Sequence, residues 1–321
     1  MLPNNNYLSG VIYCLIATLS WGTMFPIMTH TLSFIDPFTF TAMRYSIAGI
    51  VFLIFLYMKE GATAFRLDGN LVLLWLFGSA GFAGFGFLVF LGQKIAGAEG
   101  ALSASMMMAT MPLLGLLVNW VLKGVRPPSF SFGFILMSFV GVLLVITRGD
   151  ITLIFTSPSH YTANALMIGG ALCWVFYTMG ASYFPKWSPI KYTALSTLFG
   201  LPTIYAVTAL LIVNEAVVVP SGSVVFSILP ELIYMTLVAG FIGVLCWNLG
   251  NKIITPINGV LFMDIVPVTA FIISTVQGLV PTVGQILGIS LTVLALILNN
   301  IYQRRRLMYE KLTFAMALRK A

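Results

Sequence analysis

Residues 71–92 read LVLLWLFGSAGFAGFGFLVFLG, an apolar stretch with no charged side chain. A helix needs about 20 such residues to cross a hydrocarbon layer ~30 Å thick. In water, a helix that is apolar on every side has to be buried all round. The stretch therefore predicts a membrane-spanning helix, and it sets the class of protein to which the rest of the chain belongs.

The composition of the whole chain agrees with this class. Of its 321 residues, 59% are hydrophobic and 8% are charged, whereas a soluble domain carries about 25% charged residues. The apolar residues lie in blocks rather than in amphipathic stripes, which excludes an ordinary globular fold. The net charge of +7 would suggest nucleic acid in a soluble protein. Here the cations lie between and after apolar blocks, so we expect a lipid bilayer and no nucleic-acid partner.

Nine further apolar blocks flank this stretch, with short connections between them. The ten blocks lie near residues 8–28, 38–58, 71–92, 100–122, 130–147, 163–184, 191–213, 228–250, 257–279 and 282–302. The sequence thus predicts an all-α integral membrane fold with ten transmembrane helices.

The distribution of Lys and Arg predicts the orientation of these helices. With a cytoplasmic N-terminus, the outside loops contain only Lys94 and Arg148. Apart from Arg44, the other cations fall on the cytoplasmic side, as the positive-inside rule requires. We expect a multi-pass protein of the cell (inner) membrane with both termini cytoplasmic and a basic cytoplasmic tail at residues 304–321.

The two halves of the chain repeat several features in the same order. In each half a tryptophan of the first block precedes a polar residue and a proline, the third block ends in Gly-amide-Lys, and the fourth block contains a proline. The matched pairs are Trp21 and Trp174, Asp36-Pro37 and Ser188-Pro189, Gly92-Gln93-Lys94 and Gly250-Asn251-Lys252, and Pro112 and Pro267.

These matches predict two repeats, at residues 1–150 and 151–303. Each repeat has five helices, and because five is odd, the second repeat must cross the membrane inverted relative to the first. Inverted repeats give many secondary transporters two equivalent gates around one site.

Three stretches carry a resemblance to a known family. They are Trp21-Gly22-Thr23-Met24-Phe25 with Pro37, Arg44 and Ala48; Ala101 through Pro112 with Leu122-Lys123-Gly124, Gly133 and Gly141-Val142; and Gly259 through Pro267-Val268 with Gln277-Gly278 and Gln285-Ile286-Leu287-Gly288. In these features the chain resembles the drug/metabolite transporter (DMT) superfamily, in its EamA-type branch. The resemblance covers nearly the whole chain.

The resemblance implies an inverted-repeat bundle whose central cavity is built mainly from helices 1–4 and 6–9. Members of the family mostly move amino acids, related metabolites or drugs, commonly outward. The family often has a glutamate just after the fourth and ninth blocks, whereas this chain has Lys123 and Gln277 there.

Two ionisable residues lie deep inside predicted spans, where charge is costly and usually functional. Arg44 offers a guanidinium fork suited to a carboxylate, although an interior ion pair is the alternative. Asp264 could hold a substrate ammonium group or relay a proton, or it could be a carboxyl satisfied by neighbouring helices. We expect both residues to bind substrate, with Asp264 giving possible proton coupling.

Aromatic and thioether side chains provide further candidate contacts. Trp21, Trp174 and Tyr177 offer ring faces for an aromatic, apolar or cationic group. Met107, between two further methionines, offers a deformable wall. Simple helix packing is the alternative for all of these residues.

Four residues are candidate hinges. Pro112 and Pro267 each remove a backbone hydrogen bond at matched positions, so that paired bends or static kinks can form there. Gly81 and Gly84 belong to a small-residue ridge that allows close or sliding helix contact.

The sequence favours a secondary transporter that exports an amino acid or related compound by alternating access. The alternatives are a carrier of a nucleotide-like metabolite or lysolipid, or a channel or partner-binding subunit. We expect no enzyme, because no nucleophile–base pair or ligand cluster is present, and no metal or cofactor, because the three cysteines lie singly. A monomer or homodimer is expected.

Overall fold

The architecture was read from a computed structural model that describes residues 5–124, 126, 129–150, 158–254, 262–263, 265–278 and 280–320. Within these ranges every regular element is helical. The all-α prediction is therefore confirmed for the described part of the chain.

Among the described residues, the first half contains eight α- and π-helical segments, besides two short 3₁₀ helices at Ala62–Phe65 and Gly97–Glu99. They are α1 (Asn5–Thr31), α2 (Pro37–Glu60), α3 (Leu71–Gly78), the π-helical π1 (Ser79–Gly84), α4 (Phe85–Ala96), α5 (Gly100–Ala109), α6 (Met111–Lys123) and α7 (Ser129–Ile146).

The second half has the same order of long helices. Its segments are α8 (Pro158–Gly180), α9 (Pro189–Val213), α10 (Gly222–Ser227), α11 (Leu229–Ile233), the π-helical π2 (Tyr234–Ile242), α12 (Gly243–Ile254), α13 (Ile265–Val276) and α14 (Val283–Lys320). Helix α14 continues without interruption from the tenth predicted span into the predicted basic tail.

Six helical stretches among the described residues are long and apolar enough to cross a membrane, and three more are apolar but shorter. One of the six, Leu71–Met108, joins the third predicted span to the start of the fourth through a single 3₁₀ turn at Gly97–Glu99. The rest of the fourth span follows a break at Thr110, between α5 and α6. The multi-span fold is confirmed, and the count of ten spans stays a prediction.

Helices α2 and α9, which the sequence matched between the halves, begin in the same way. The Asp36 carboxylate accepts hydrogen bonds from the backbone N–H groups of Phe38 (2.8 Å) and Thr39 (2.9 Å). Ser188 Oγ likewise accepts from the N–H of Lys191 (2.9 Å). In both helices a proline follows the cap, at a position where its missing N–H has no partner to lose.

Helices of one half pack mainly against helices of the other. Helix α1 lies against α12, α4 against α8, α2 against α9, α5 against α13, and α7 against α14. Matching the halves in order pairs α1 with α8, α2 with α9, α4 with α12, α5 with α13, and α7 with α14. Under this matching the α1–α12 contact is equivalent to the α8–α4 contact, and each of the other three contacts joins a helix to its own counterpart. This pattern is what a two-fold relation between the halves produces.

The π-helical segments also occupy matched places. Each ends eight residues before a glycine that the repeat analysis paired, Gly92 after π1 and Gly250 after π2. Such i→i+5 stretches are rare and often mark functional sites. They interrupt the third helix of each half, where a bend or a change of register can occur.

Candidate functional site

A narrow cavity lies between the two halves. About 30 Å³ of it is open to the centre of a water-sized sphere, so the cavity is narrow in this conformation. Residues of α1, α2, α5, α8, α12 and α13 line it, together with π2, the starts of α4 and α6, and Met263 just before α13. The lining residues are Trp21, Met24, Phe25, Arg44, Tyr45, Phe85, Met108, Met111, Trp174, Ala239, Val244, Met263 and Val266.

Arg44 is a charged residue in this lining, and its side chain is only 3% exposed. Its Nε donates to the backbone carbonyl of Met235 (2.9 Å), and its Nη2 contacts the Met24 thioether (3.7 Å). The guanidinium lies 4.9 Å from the Tyr45 ring centroid and 5.6 Å from that of Phe90. Its Nη1 has no hydrogen-bond partner among the described residues. A buried cation normally has its donors satisfied, so this nitrogen has a donor to spare among the described residues.

Trp21 and Trp174 lie together in the cavity wall. Their ring centroids are 6.0 Å apart in an edge-to-face arrangement, and Phe85 packs 5.2 Å from Trp174. The Trp21 Nε1–H donates to the Ala239 carbonyl (3.0 Å). The indole is thereby fixed in orientation, with its apolar surface available to the cavity.

Tyr177 and Met107 lie behind the cavity lining. Tyr177 packs 5.1 Å from Trp174 and stacks 5.3 Å from Tyr192, and its carbonyl accepts a hydrogen bond from the Tyr192 hydroxyl (2.7 Å). Met107 is completely buried, whereas Met108 and Met111 reach the cavity. In this conformation Tyr177 and Met107 support the residues that line the cavity rather than forming its surface.

Asp264 lies outside the described residues. Two of its chain neighbours, Met263 and Val266, line the cavity. Its predicted role at the substrate site therefore stays a prediction.

Gly81 and Gly84 lie in π1 at a close contact with α8. A Cβ on Gly81 would lie 2.5 Å from Cγ of Tyr177, and one on Gly84 would lie 2.7 Å from the Cys173 sulfur. These distances leave no room for a methyl group. The contact spaces α8 correctly for Trp174 to face the cavity.

Pro112 and Pro267 each lie in the first turn of a helix, at the second residue of α6 and the third of α13. The sequence placed both inside continuous spans. A proline in a first turn removes no intrahelical hydrogen bond. The fourth span is instead interrupted just before Pro112, at Thr110, and a new helix begins there. The positions remain matched between the halves.

Polar contacts join the halves near both ends of α2. At the end where α2 begins, His30 Nδ1 lies 3.2 Å from the carboxylate of Glu231; we call this pair the His30 link. At the other end, Asp68 accepts from Lys191 Nζ (3.3 Å) and Trp187 Nε1 (3.2 Å); we call these three residues the Asp68 link. Lys191 lowers the pKa of the Asp68 carboxyl, chiefly through its hydrogen bond.

Several lining residues were not predicted from the sequence. Met24 and Phe25 follow Trp21 by three and four residues, so helical spacing alone would place them on its face. Phe85 and Val244 carry no such signal, because their helices bring them to the cavity only through tertiary packing.

Comparisons with known proteins agree on one family. The model of the EamA-like transporter family matches the chain twice, at residues 8–147 and 162–301. The chain is 39% identical over 296 residues to the uncharacterized transporter YrdR of Bacillus subtilis (strain 168), covering 92% of each chain. It is 28% identical to the uncharacterized transporter YyaM of the same organism, covering 86% of this chain and 88% of YyaM.

One solved crystal structure has the same fold. It is 22% identical to this chain, with a TM-score of 0.64, and the match covers 92% of this chain and 99% of that one. At this identity the likeness shows the fold alone.

Proposed function

We propose that this chain, which belongs to the EamA-like transporter family and is a membrane transporter, is a secondary carrier for an amino acid or related compound. The substrate binds in the cavity between the halves, and the carrier works by alternating access in the direction of export. The observation that carries the proposal is Arg44, a buried cation in the cavity wall whose Nη1 has no partner among the described residues.

A buried guanidinium with an open donor is suited to a substrate carboxylate. An isolated charge in a low-dielectric interior costs several kcal/mol or more, and Arg44 recovers part of that from one carbonyl and two ring faces. A bound carboxylate would supply the counter-charge and up to two hydrogen bonds.

The two links are suited to act as gates. Each ties one half of the chain to the other, and α2, a helix of 24 residues, separates them by about 36 Å at 1.5 Å per residue. With a cytoplasmic N-terminus, the Asp68 link lies on the cytoplasmic side and the His30 link on the outside. Breaking one while keeping the other would open the cavity to one side at a time.

Segment π2 connects the cavity to the opening and closing of the two links. Its carbonyls of Met235 and Ala239 accept the hydrogen bonds of Arg44 and Trp21, and Glu231 of the His30 link lies just before it in α11. A substrate that shifts Arg44 would therefore pull on π2 directly.

Asp264 is the proposed coupling residue for protons, because it is a carboxylate deep in a predicted span. Asp264→Asn should retain substrate exchange but lose acceleration by a pH gradient. Exchange and gradient-driven flux in liposomes distinguish the two processes. An unchanged response to the gradient would contradict this role.

The test of carrier function is counterflow in liposomes containing the purified full chain, screened with radiolabelled amino acids. A carrier gives saturable uptake that is stimulated by unlabelled substrate inside the vesicle. Unsaturable flux with ionic currents would instead indicate a channel. Modification of the labelled compound would indicate an enzyme.

A further inference from the structure

We infer that the cavity binds a ligand with one carboxylate, which meets Arg44, and with an aromatic or comparably apolar and bulky body, and that an ammonium group on the ligand is not required. This inference rests on the proposed carrier function for its biological meaning. It narrows the substrate class from amino acids and related compounds to apolar carboxylates, of which aromatic amino acids are a subset.

The charge of the ligand follows from the described lining. Arg44 is the charged residue among the residues that line the cavity, and a guanidinium remains protonated in proteins. A carboxylate is stabilised beside it, whereas a ligand whose only charge is positive would be repelled in a region of low dielectric.

The number of negative charges follows from the available donors. Within the part of the chain that the structure describes, Nη1 has no acceptor and Nη2 meets a thioether, which is a weak acceptor. These two nitrogens can form a bidentate pair with one carboxylate. Nε of Arg44 and Nε1 of Trp21 already donate to backbone carbonyls.

The apolar body follows from the walls. Five aromatic residues and four methionines line the cavity together with Arg44; they are Trp21, Phe25, Tyr45, Phe85 and Trp174, and Met24, Met108, Met111 and Met263. Ring faces favour stacked or edge contacts with a ligand ring, and methionine adapts to its outline. A short polar carboxylate would leave this surface unused.

Binding of four probes to the purified full chain tests the inference without relying on transport. The probes are 3-phenylpropionate, phenylalanine, 2-phenylethylamine and propionate, measured by quenching of tryptophan fluorescence and by thermal shift. We expect 3-phenylpropionate to bind saturably and to raise the melting temperature. Phenylalanine should bind within about tenfold of it, while propionate and 2-phenylethylamine should each bind at least about tenfold more weakly, because each lacks one of the two features.

Variants of Arg44 locate the site. Arg44→Lys keeps the charge but loses the planar fork, so it should weaken 3-phenylpropionate about tenfold and leave the weak binding of 2-phenylethylamine unchanged. Arg126→Gln, which changes an exposed arginine between α6 and α7, is the matched control and should have no effect. If Arg44→Lys does not fold, the four-probe comparison on the unaltered chain still decides the question.

Three results would overturn the inference. These are equal binding of 2-phenylethylamine and 3-phenylpropionate, equal binding of propionate and 3-phenylpropionate, or no binding of any probe to a chain that melts cooperatively. Saturable counterflow of another compound together with any of these results would leave the carrier proposal standing and remove only this substrate class.

Discussion

At the scale of single residues, the arrangement of the cavity wall depends on two side chains that both donate hydrogen bonds to π2. Arg44 and Trp21 come from different helices of the first half, yet both donate to carbonyls of π2 in the second half. Each hydrogen bond fixes a side chain that would otherwise have several rotamers. The cavity is therefore pre-organised across the boundary between the halves.

Trp21→Phe tests this arrangement by removing the indole N–H while keeping an aromatic ring. A net loss of about 1 kcal/mol per hydrogen bond should lower transport about fivefold. Liposome counterflow measures the change. Trp120→Phe alters a tryptophan that is exposed on α6, and it should transport normally; equal rates in both variants would show that the Ala239 contact is dispensable.

The Asp68 link makes a prediction about pH. Because Lys191 lowers the pKa of Asp68, the native state favours the ionised carboxyl. Its stabilising effect is full above the ordinary aspartate pKa of about 3.9 and is lost as the pH falls through the lowered value. Asp68→Asn should therefore lower the melting temperature by the same small amount at pH 7.5 and pH 5.5.

The control for this prediction is Glu215→Gln, which changes an exposed carboxylate in the turn after α9. It should leave the melting temperature unchanged at both values. A deficit of Asp68→Asn that disappears between pH 7.5 and 5.5 would contradict a lowered pKa.

At the scale of elements, the third helix of each half combines close packing with an i→i+5 segment. In π1 this allows Tyr177 of α8 to pack against the backbone of Gly81, where a Cβ would lie only 2.5 Å from Cγ of the ring. The sequence indicated the small residues, but it gave no indication of the π-helical hydrogen bonding. That geometry arises because tertiary contacts set the register of the segment.

Gly81→Ala should destabilise the protein by about 1–3 kcal/mol, because the new methyl group meets the Tyr177 ring. The melting temperature of the purified protein measures the loss. Gly133→Ala is the matched control, since a Cβ there meets nothing within 4 Å in helix α7. It should be neutral or slightly stabilising, by up to about 1 kcal/mol; an equal fall in both variants would contradict the packing explanation.

At the scale of the whole molecule, the contacts between halves follow a two-fold pattern, and the inversion of one half relative to the other stays a prediction. If it is correct, equivalent loops of the two halves lie on opposite faces of the membrane. The turn after α1 would face outside and the turn after α8 the cytoplasm.

Single cysteines at these turns test the inversion directly. In a background lacking Cys14, Cys173 and Cys246, Ser33→Cys should react with an impermeant thiol reagent added to intact cells. Lys186→Cys should react only after the membrane is opened. Labelling of both from outside would mean that the halves face the same way.

The sequence by itself determined that the chain folds in lipid and that its second half repeats the pattern of the first. Long uncharged blocks such as 71–92 can be stable only in lipid or a fully buried core, and the order of Trp, Pro and Gly residues identified the two halves. The matched caps at Asp36 and Ser188 are local hydrogen bonds, so a sequence pattern is enough to predict them.

Only the tertiary structure decided which candidates meet. Arg44, Trp21 and Trp174 line one cavity, whereas Tyr177 and Met107 pack behind it. The physical reason is that a membrane helix is apolar on every side, so its sequence does not mark the face that turns inward. The partners of Arg44 are backbone carbonyls and aromatic rings from distant segments, and their positions follow from helix packing rather than from any local pattern.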